Sequence, residues 1–419
     1  MKIKEILKQE EGGWHMMVTR VEKHNIKSNH LYYHMLDEFC FMSKNLYNFA
    51  NYQIRQSFIK EDGRFIGYYE MDKLLKTDYM DFDYRNMPSA DSAQQCLRLL
   101  EKNWKSFFAS IKDWSKDKDR YTGKPKLPKY LDKSGRNLLI LTKSNCKVKD
   151  GVIRFPKTFK GFTLKTKVNN LQQVRVLPRN NYITIEVIYR VEVPNEILDN
   201  NRYLGIDIGL DNLGTITNNF GNKPFIINGK HIKSINQYYN KKLSKQRSIA
   251  KRMNSSNWTK EMNKLTIKRN NMIDDKLHKA SKSIIDYALS CEANTIVIGN
   301  NKDWKRESKM SKKVNQKFIG IPHQRLIQMI QYKAENVGIN VILTEESYTS
   351  GTSFLDNEMP SKQNYNKSRR IHRGLFVSND GKKINADVNG SLQIIKKVFP
   401  NAFSNGIKGI GLYPIRVTI

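Results

Sequence analysis

Tyr203-Leu-Gly-Ile-Asp-Ile-Gly-Leu-Asp-Asn-Leu-Gly-Thr-Ile-Thr217 decides the fold. Tyr203, Ile206 and Ile208 are strand formers, and Asp211-Asn212 is a turn signal between two apolar runs, so the stretch reads as strand, tight turn, strand. Asp207 falls inside the first strand, where a carboxylate is disfavoured. Gly205 and Gly209 flank it and leave room for a ligand against the backbone, which gives the acid a functional reading beside the plain one of an edge-strand aspartate facing water.

Downstream, a third strand at 223–228 is followed by a long helical region from about Ser234 to Ser290, interrupted at Asn254-Ser-Ser-Asn257. One face of that region carries Lys241, Lys242, Lys245, Arg247, Lys251, Arg252, Lys260, Lys264, Lys268 and Arg269, read as a backbone grip or as a solubilising face. Thr295–Gly299 is a buried strand, Pro322–Gly338 a helix with proline at its start and glycine at its end, and Ile339–Thr344 another strand. A last helix follows Asn385. The order is β-β-β-α-β-α-β-α, with one acid in the first strand and another, Asp387, at the start of the last helix.

Upstream, Leu138 to Val193 has a period of two and reads as short strands of a small barrel or sandwich, completed by a strand at Met16–Val21. Residues 31 to about 114 between them are helical: Leu36, Phe39, Met42, Leu46 and Phe49 mark one buried face, and Ala93, Leu97, Leu100, Trp104 and Phe108 another. These aromatics read as core, not as base-stacking platforms. A basic connector, Lys116 to Lys133, carries Lys124, Lys126 and Lys129 and interleaves Tyr121 and Tyr130, either as a solvated loop or as a phosphate contact.

The chain has 419 residues, too many for one core. Its 73 lysines and arginines face 40 aspartates and glutamates, a net charge of +33 that points to a polyanion. No apolar run is long enough to span a bilayer, so a membrane partner is not expected. Cys40, Cys96, Cys146 and Cys291 form no CxxC pair, which fits a reducing cytoplasmic setting.

Several short segments together resemble the TnpB (OrfB) proteins of insertion sequences, relatives of type V CRISPR effectors. Gly205-Ile-Asp-Ile-Gly209 resembles their first RuvC motif, Asn385-Ala-Asp-Val-Asn-Gly390 their third, and Tyr348-Thr-Ser350 the segment before their zinc ribbon. Lys124-Pro-Lys-Leu-Pro-Lys129 and the helix from Ser89 to Phe108 resemble their N-terminal half. The resemblance implies a multidomain α/β plus β-barrel protein. A wedge β-barrel (1–30 and 130–198) would receive an inserted helical recognition domain with the connector (31–129). An RNase H-like RuvC nuclease domain (199–398) would carry the basic helical insertion (232–292), and 399–419 would be a tail. It implies a bacterial RNA-guided DNA endonuclease with a guide RNA and a double-stranded DNA target as partners.

Hydrolysis by that route needs converging carboxylates that hold Mg²⁺ ions roughly 3.5–4 Å apart. Asp207 and Asp387 fill two positions, although an aspartate at a helix start also serves as an N-cap. The chain departs from the family where a glutamate is expected, for Gly299 stands there. The expected replacement is Glu346, just past the parallel neighbour strand, with Glu345 and Asp303 as fallbacks. The family's four zinc cysteines correspond to Ser353, Asp356, Val377 and Asp380, so no zinc is expected and 351–383 is a degenerate ribbon, basic at Arg369, Arg370, His372 and Arg373. The arginines 369, 370 and 373 join the connector lysines and the helical grip as expected nucleic-acid contacts. Two rivals remain open: a nuclease-inactive guided DNA-binding protein, motivated by the missing glutamate, and a strand transferase on the same core.

Overall fold

The computed structural model describes residues 16–60, 63–194, 199–253, 258–301, 316, 319–372, 374–404, 406 and 413–419. The interruption at 254–257, the fallback Asp303 and the basic Arg373 lie outside the described residues. The chain divides into two compact units, Met17–Glu192 and Val193–Ile419.

In the first unit, strand β1 (Met16–Lys27) leads into helices α1 (Tyr33–Lys60), α2 (Tyr68–Lys76), α3 (Phe82–Asn86) and α4 (Ala90–Lys116). Ser89 caps α4 and exchanges hydrogen bonds with Ser92, so two orphan N–H groups of the first turn are satisfied reciprocally. Leu36, Leu46, Leu97, Leu100 and Trp104 are buried, as their three- and four-residue spacing requires. The Trp104 indole N–H donates to Asn51 Oδ1 at 3.0 Å, which removes the cost of burying it.

Strands β2 (Leu139–Thr142), β3 (Lys147–Lys149), β4 (Val152–Arg154), β5 (Thr163–Lys165), β6 (Leu171–Arg179) and β7 (Tyr182–Val193) follow. Among the described residues they do not close into one barrel. Among the described residues they form a four-stranded sheet of order β1-β7-β6-β2 and a separate three-stranded meander, β3-β4-β5. The meander strands are three residues long and alternate exposed and covered positions, too short to bridge the open edges of the longer sheet. Ile153, Phe159 and Leu164 still join the same core as Val174, Val176, Leu97 and Trp104.

The connector is not a free loop. Asn48 receives the Leu131 N–H at 2.8 Å and donates to the Leu131 carbonyl at 2.9 Å, Asn51 donates to the Pro128 carbonyl at 3.2 Å, and Lys44 to the Lys133 carbonyl at 2.8 Å. Three side chains, one per turn of α1, therefore fix its backbone and leave the side chains of Lys124, Lys126 and Lys129 exposed.

The second unit is built on a six-stranded sheet of order β12-β11-β8-β9-β10-β15 among the described residues. Its strands are β8 (Tyr203–Asp207), β9 (Asn212–Asn218), β10 (Phe225–Asn228), β11 (Thr295–Gly299), β12 (Asn340–Thr344) and, after a short hairpin of β13 (Leu375–Val377) and β14 (Lys383–Asn385), β15 (Ile415–Val417). Strand β8 pairs antiparallel with β9 and parallel with β11, and β11 pairs parallel with β12. This is the connectivity expected of an RNase H-like element order. Helices α5 (Lys230–Arg252) and α6 (Lys260–Ser290) lie between β10 and β11, α7 (His323–Glu335) between β11 and β12, and α8 (Ala386–Val398) follows β14.

Helix α8 packs directly on β8. A Cβ on Gly205 would stand 2.7 Å from Ile395 Cγ1, so the space beside this glycine receives the helix and not a ligand.

Candidate active site

Three acids come from three different elements. Asp207 ends β8, Asp387 lies in the first turn of α8, and Glu346 follows β12 by two residues. Asp387 does not cap its helix; Asn385 does, its side-chain oxygen accepting from Asp387 N at 3.0 Å and Val388 N at 3.2 Å. The carboxylate of Asp387 is thereby left to project from the helix start.

Gly390, one turn along α8, lets Asp207 approach the helix, since a Cβ there would lie 2.9 Å from Asp207 Oδ2. Gly299 does the same for Glu346. Gly299 is in register with Thr344 on β12, and a Cβ on it would fall 2.5 Å from Glu346 Cγ and 2.8 Å from Cδ. The glutamate side chain thus lies over the glycine that ends β11. Asn301 fixes it there, donating to Glu346 Oε2 at 3.2 Å and accepting from Glu346 N at 3.0 Å. Glu345 is exposed and takes a hydrogen bond from the Ser347 hydroxyl.

The charges are coupled. Burial raises the Asp207 carboxyl well above the usual carboxylate range, and the negative charges of Glu346 and then Asp387 push it further, against a partial offset from Arg370. Glu346 is pushed up to about 7, also by burial, with the Lys397 ammonium opposing. Asp387 is held on both sides: Arg370 Nη2 donates to Oδ1 at 3.0 Å and Asn212 Nδ2 to Oδ2 at 2.6 Å. Among the described residues no three His, Cys, Asp or Glu side chains stand together at the spacing that holds one metal ion. In chemistry the acids fit a hard divalent cation, being all-oxygen donors with more negative charge than Arg370 offsets.

Arg370 reaches Asp387 from the 351–383 segment, whose construction was only partly legible in the sequence. Where the zinc knuckles of relatives are expected, Ser353 N donates to Glu358 Oε2 at 2.9 Å and Asn379 N to Asp356 Oδ2 at 2.9 Å. Arg369 forks onto Glu358 at 2.6 and 2.9 Å and donates to Asn379 at 2.7 Å, so one guanidinium ties the two arms together. Arg369 is therefore spoken for by the segment itself, contrary to its expected place among nucleic-acid contacts, and Arg370 is engaged with Asp387. Three buried residues on α8 hold the same segment: Asn389 bonds Thr352 and Phe354, Gln393 the Glu358 carbonyl, and Lys396 the Asn357 carbonyl. Phe354, Phe376 and Ile384 add a small apolar core against Val388 and Leu392.

On α5 and α6, Lys241, Lys242, Lys245, Arg247, Lys251, Arg252, Lys260, Lys264 and Lys268 are exposed. Arg269 is not part of that face. It is half-buried, donating to Asn236 Oδ1 at 2.8 Å and the Gly320 carbonyl at 2.7 Å. Among the described residues no helix is long and apolar enough to cross a membrane.

Residues 186–305 match a family model described as OrfB_IS605, probable transposase, and residues 323–394 match one described as Cas12f1-like, TNB domain. No curated protein sequence matches the chain. Among solved structures, a Cas12f1–sgRNA–target DNA complex is 15% identical, with 90% of this chain and 98% of that chain covered at a TM-score of 0.36. The mini-RNA-guided endonuclease CRISPR-Cas_phi3 is 8% identical, with 94% of each chain covered at a TM-score of 0.47. Both likenesses are too remote to transfer residues. The region around β8–β11 is thus similar to OrfB-type transposases and the stretch from α7 through α8 to Cas12f1-like TNB domains, in keeping with the resemblance of this chain to the TnpB (OrfB) proteins.

Proposed function

We propose that this chain is an RNA-guided DNA endonuclease whose site is formed by Asp207, Glu346 and Asp387, with Mg²⁺ as cofactor. The observation that carries the proposal is the Glu346 side chain lying over Gly299, where the family's glutamate is missing. When bound, the divalent cation polarises the phosphodiester and lowers the pKa of an attacking water. Asp207 and Glu346 supply half-buried carboxylates, Asn301 orients Glu346, and Asn212 orients Asp387. Arg370 pairs with Asp387 and would share that carboxylate with a bound cation. Guide RNA and a short target-adjacent DNA motif are the proposed partners; the exposed connector lysines and the α5–α6 face are the proposed phosphate contacts.

The test is cleavage of a plasmid target by protein purified with its own RNA, with and without Mg²⁺. Cutting that depends on RNA, Mg²⁺ and each of the three acids supports the reading. RNA-dependent target binding without cutting favours the second reading, a nuclease-inactive guided repressor, which the Arg370–Asp387 pair and the absence of a ready three-acid cluster among the described residues support.

A further inference from the structure

Between α5 and α6 lies a groove of about 280 Å³ whose walls include Ile235, Tyr238, Leu265 and Met272. Tyr238 is 57% exposed and Met272 44%, an aromatic and a thioether left uncovered on a charged surface. The floor beneath them is rigid. Tyr239 shares a hydrogen bond with Thr266 at 3.0 Å, and the Arg269 guanidinium lies 5.6 Å from the Tyr239 ring centre while bonded to Asn236 and the Gly320 carbonyl. The rim is cationic: Lys242 Nζ stands 5.6 Å from the Tyr238 ring centre, and Lys268 lines the groove. Neither lysine forms an ion pair among the described residues.

We infer that this groove stacks one unpaired base of an RNA strand on Tyr238, with Met272 opposite and Lys242 and Lys268 on the flanking phosphates. The volume suits one planar ring and no duplex, and an exposed aromatic ringed by cations is the arrangement single-stranded nucleic acid uses. A protein helix in a groove needs several apolar anchors a turn apart, which one platform does not supply. Ser234 lines the same groove with an exposed hydroxyl, a partner for the 2′-hydroxyl that distinguishes RNA from DNA. The inference rests on the proposed function only in taking RNA as a partner, and it needs no cleavage.

The test uses the full chain and three fluorescein-labelled strands: an oligoadenylate, the same strand with abasic riboses, and the oligodeoxyadenylate. The oligoadenylate should bind about tenfold tighter than its abasic form. Tyr238→Ala should erase that preference while leaving abasic binding unchanged, and Tyr238→Phe should keep it. Lys242→Ala should weaken both strands and flatten the salt dependence. Asp207→Ala, inactive on the proposed function, should bind like wild type, so a failure of the nuclease reading leaves this result standing. Melting temperatures of the variants show that each is folded, and Tyr238→Leu, which keeps the bulk without the ring face, serves if Tyr238→Ala is not. An equal preference in wild type and the folded Tyr238 variants overturns the stacking. Equal affinity for the deoxy strand overturns the assignment to RNA.

Discussion

Gly299→Ala tests the place of Glu346 without touching an acid. The new Cβ would fall 2.5 Å from Glu346 Cγ, and ordinary contact begins near 3.4 Å, so the glutamate must retreat by about 0.9 Å. The obstacle is a flexible side chain and not backbone, so stability should change little, by less than about 1 kcal/mol, or a shift of about 2–4 °C in melting temperature at most. A displacement of that size in a reacting group costs about a hundredfold in rate. Single-turnover cleavage at saturating guide and target, beside a melting curve, separates the two quantities. A folded Gly299→Ala that cuts at the wild-type rate, while Asp207→Ala does not cut, removes Glu346 from the site. In a Glu346→Ala background the same substitution no longer meets the glutamate and should add no further change in melting temperature. Gly299→Glu combined with Glu346→Gly, which returns the acid to the end of β11, should recover part of the lost rate.

Asp207→Ala and Asp387→Ala should each abolish cleavage in that assay and leave guide and target affinity within about twofold, because the basic face of α5 and α6 lies on other residues. Without a cation, both Asp207 and Glu346 have folded pKa values above their unfolded ones. The folded state then binds more protons, and its stability should fall as pH rises from about 4.5 to about 7 through the Glu346 shift; added Mg²⁺ should raise the melting temperature at pH 8 and not at pH 5. Arg369→Ala should cost about 1–3 kcal/mol by stranding Glu358, read as faster proteolysis within 351–383, with Arg369→Lys only partly restoring protection. Elemental analysis should find no stoichiometric zinc; about one zinc per chain would overturn the reading of Ser353, Asp356, Val377 and Asp380.

The order of elements in the second unit was legible because each has a strong local signature: strand formers on either side of a turn signal in β8 and β9, a continuous apolar run in β11, helix termini at both ends of α7. Asp207 stood out as a charge inside a strand, and Asp387 only through the likeness of Asn385–Gly390 to the third RuvC motif, since a helix start favours aspartate. Gly299 was informative as a vacancy, and parallel pairing of β11 with β12 carries the argument from that vacancy to Glu346. Asn212 and Arg370 had no such signal. Their contacts with Asp387 join residues 175 and 17 positions apart, and a turn asparagine or a loop arginine looks the same in sequence whether or not it meets a carboxylate. Of the two architectures expected for these strands, barrel or sandwich, the described residues show two sheets sharing one core and no closed barrel, for a related reason. Alternation predicts strands, but closure depends on strand length and pairing, and the short β3, β4 and β5 pair with one another.

The missing cysteines have a consequence for the active site. A zinc ribbon holds its arms through a metal indifferent to the neighbouring carboxylates. Here the arms are held by Glu358, Arg369, Asp356 and Asn379, and the residue after the tying arginine is Arg370, which bonds Asp387. Arg369 is half-buried against its fork while Arg370 turns to the acid, so the geometry of one sets the reach of the other. An arginine fork is directional in a way a lone lysine is not, and its two parallel bonds fix the backbone that carries Arg370. The same fork thus stands next to a positive charge that meets Asp387, whose own charge acts on Asp207. The Arg370 charge offsets the carboxylate of Asp387, and a cation held by Asp387 would compete with it. The same pair therefore serves either reading, as a placeholder in an active nuclease or as a permanent cap in an inactive one, and Arg370→Ala separates them. In an active enzyme it should shift the Mg²⁺ dependence toward lower concentrations, and in an enzyme silenced by the cap it should produce cleavage that the wild type lacks.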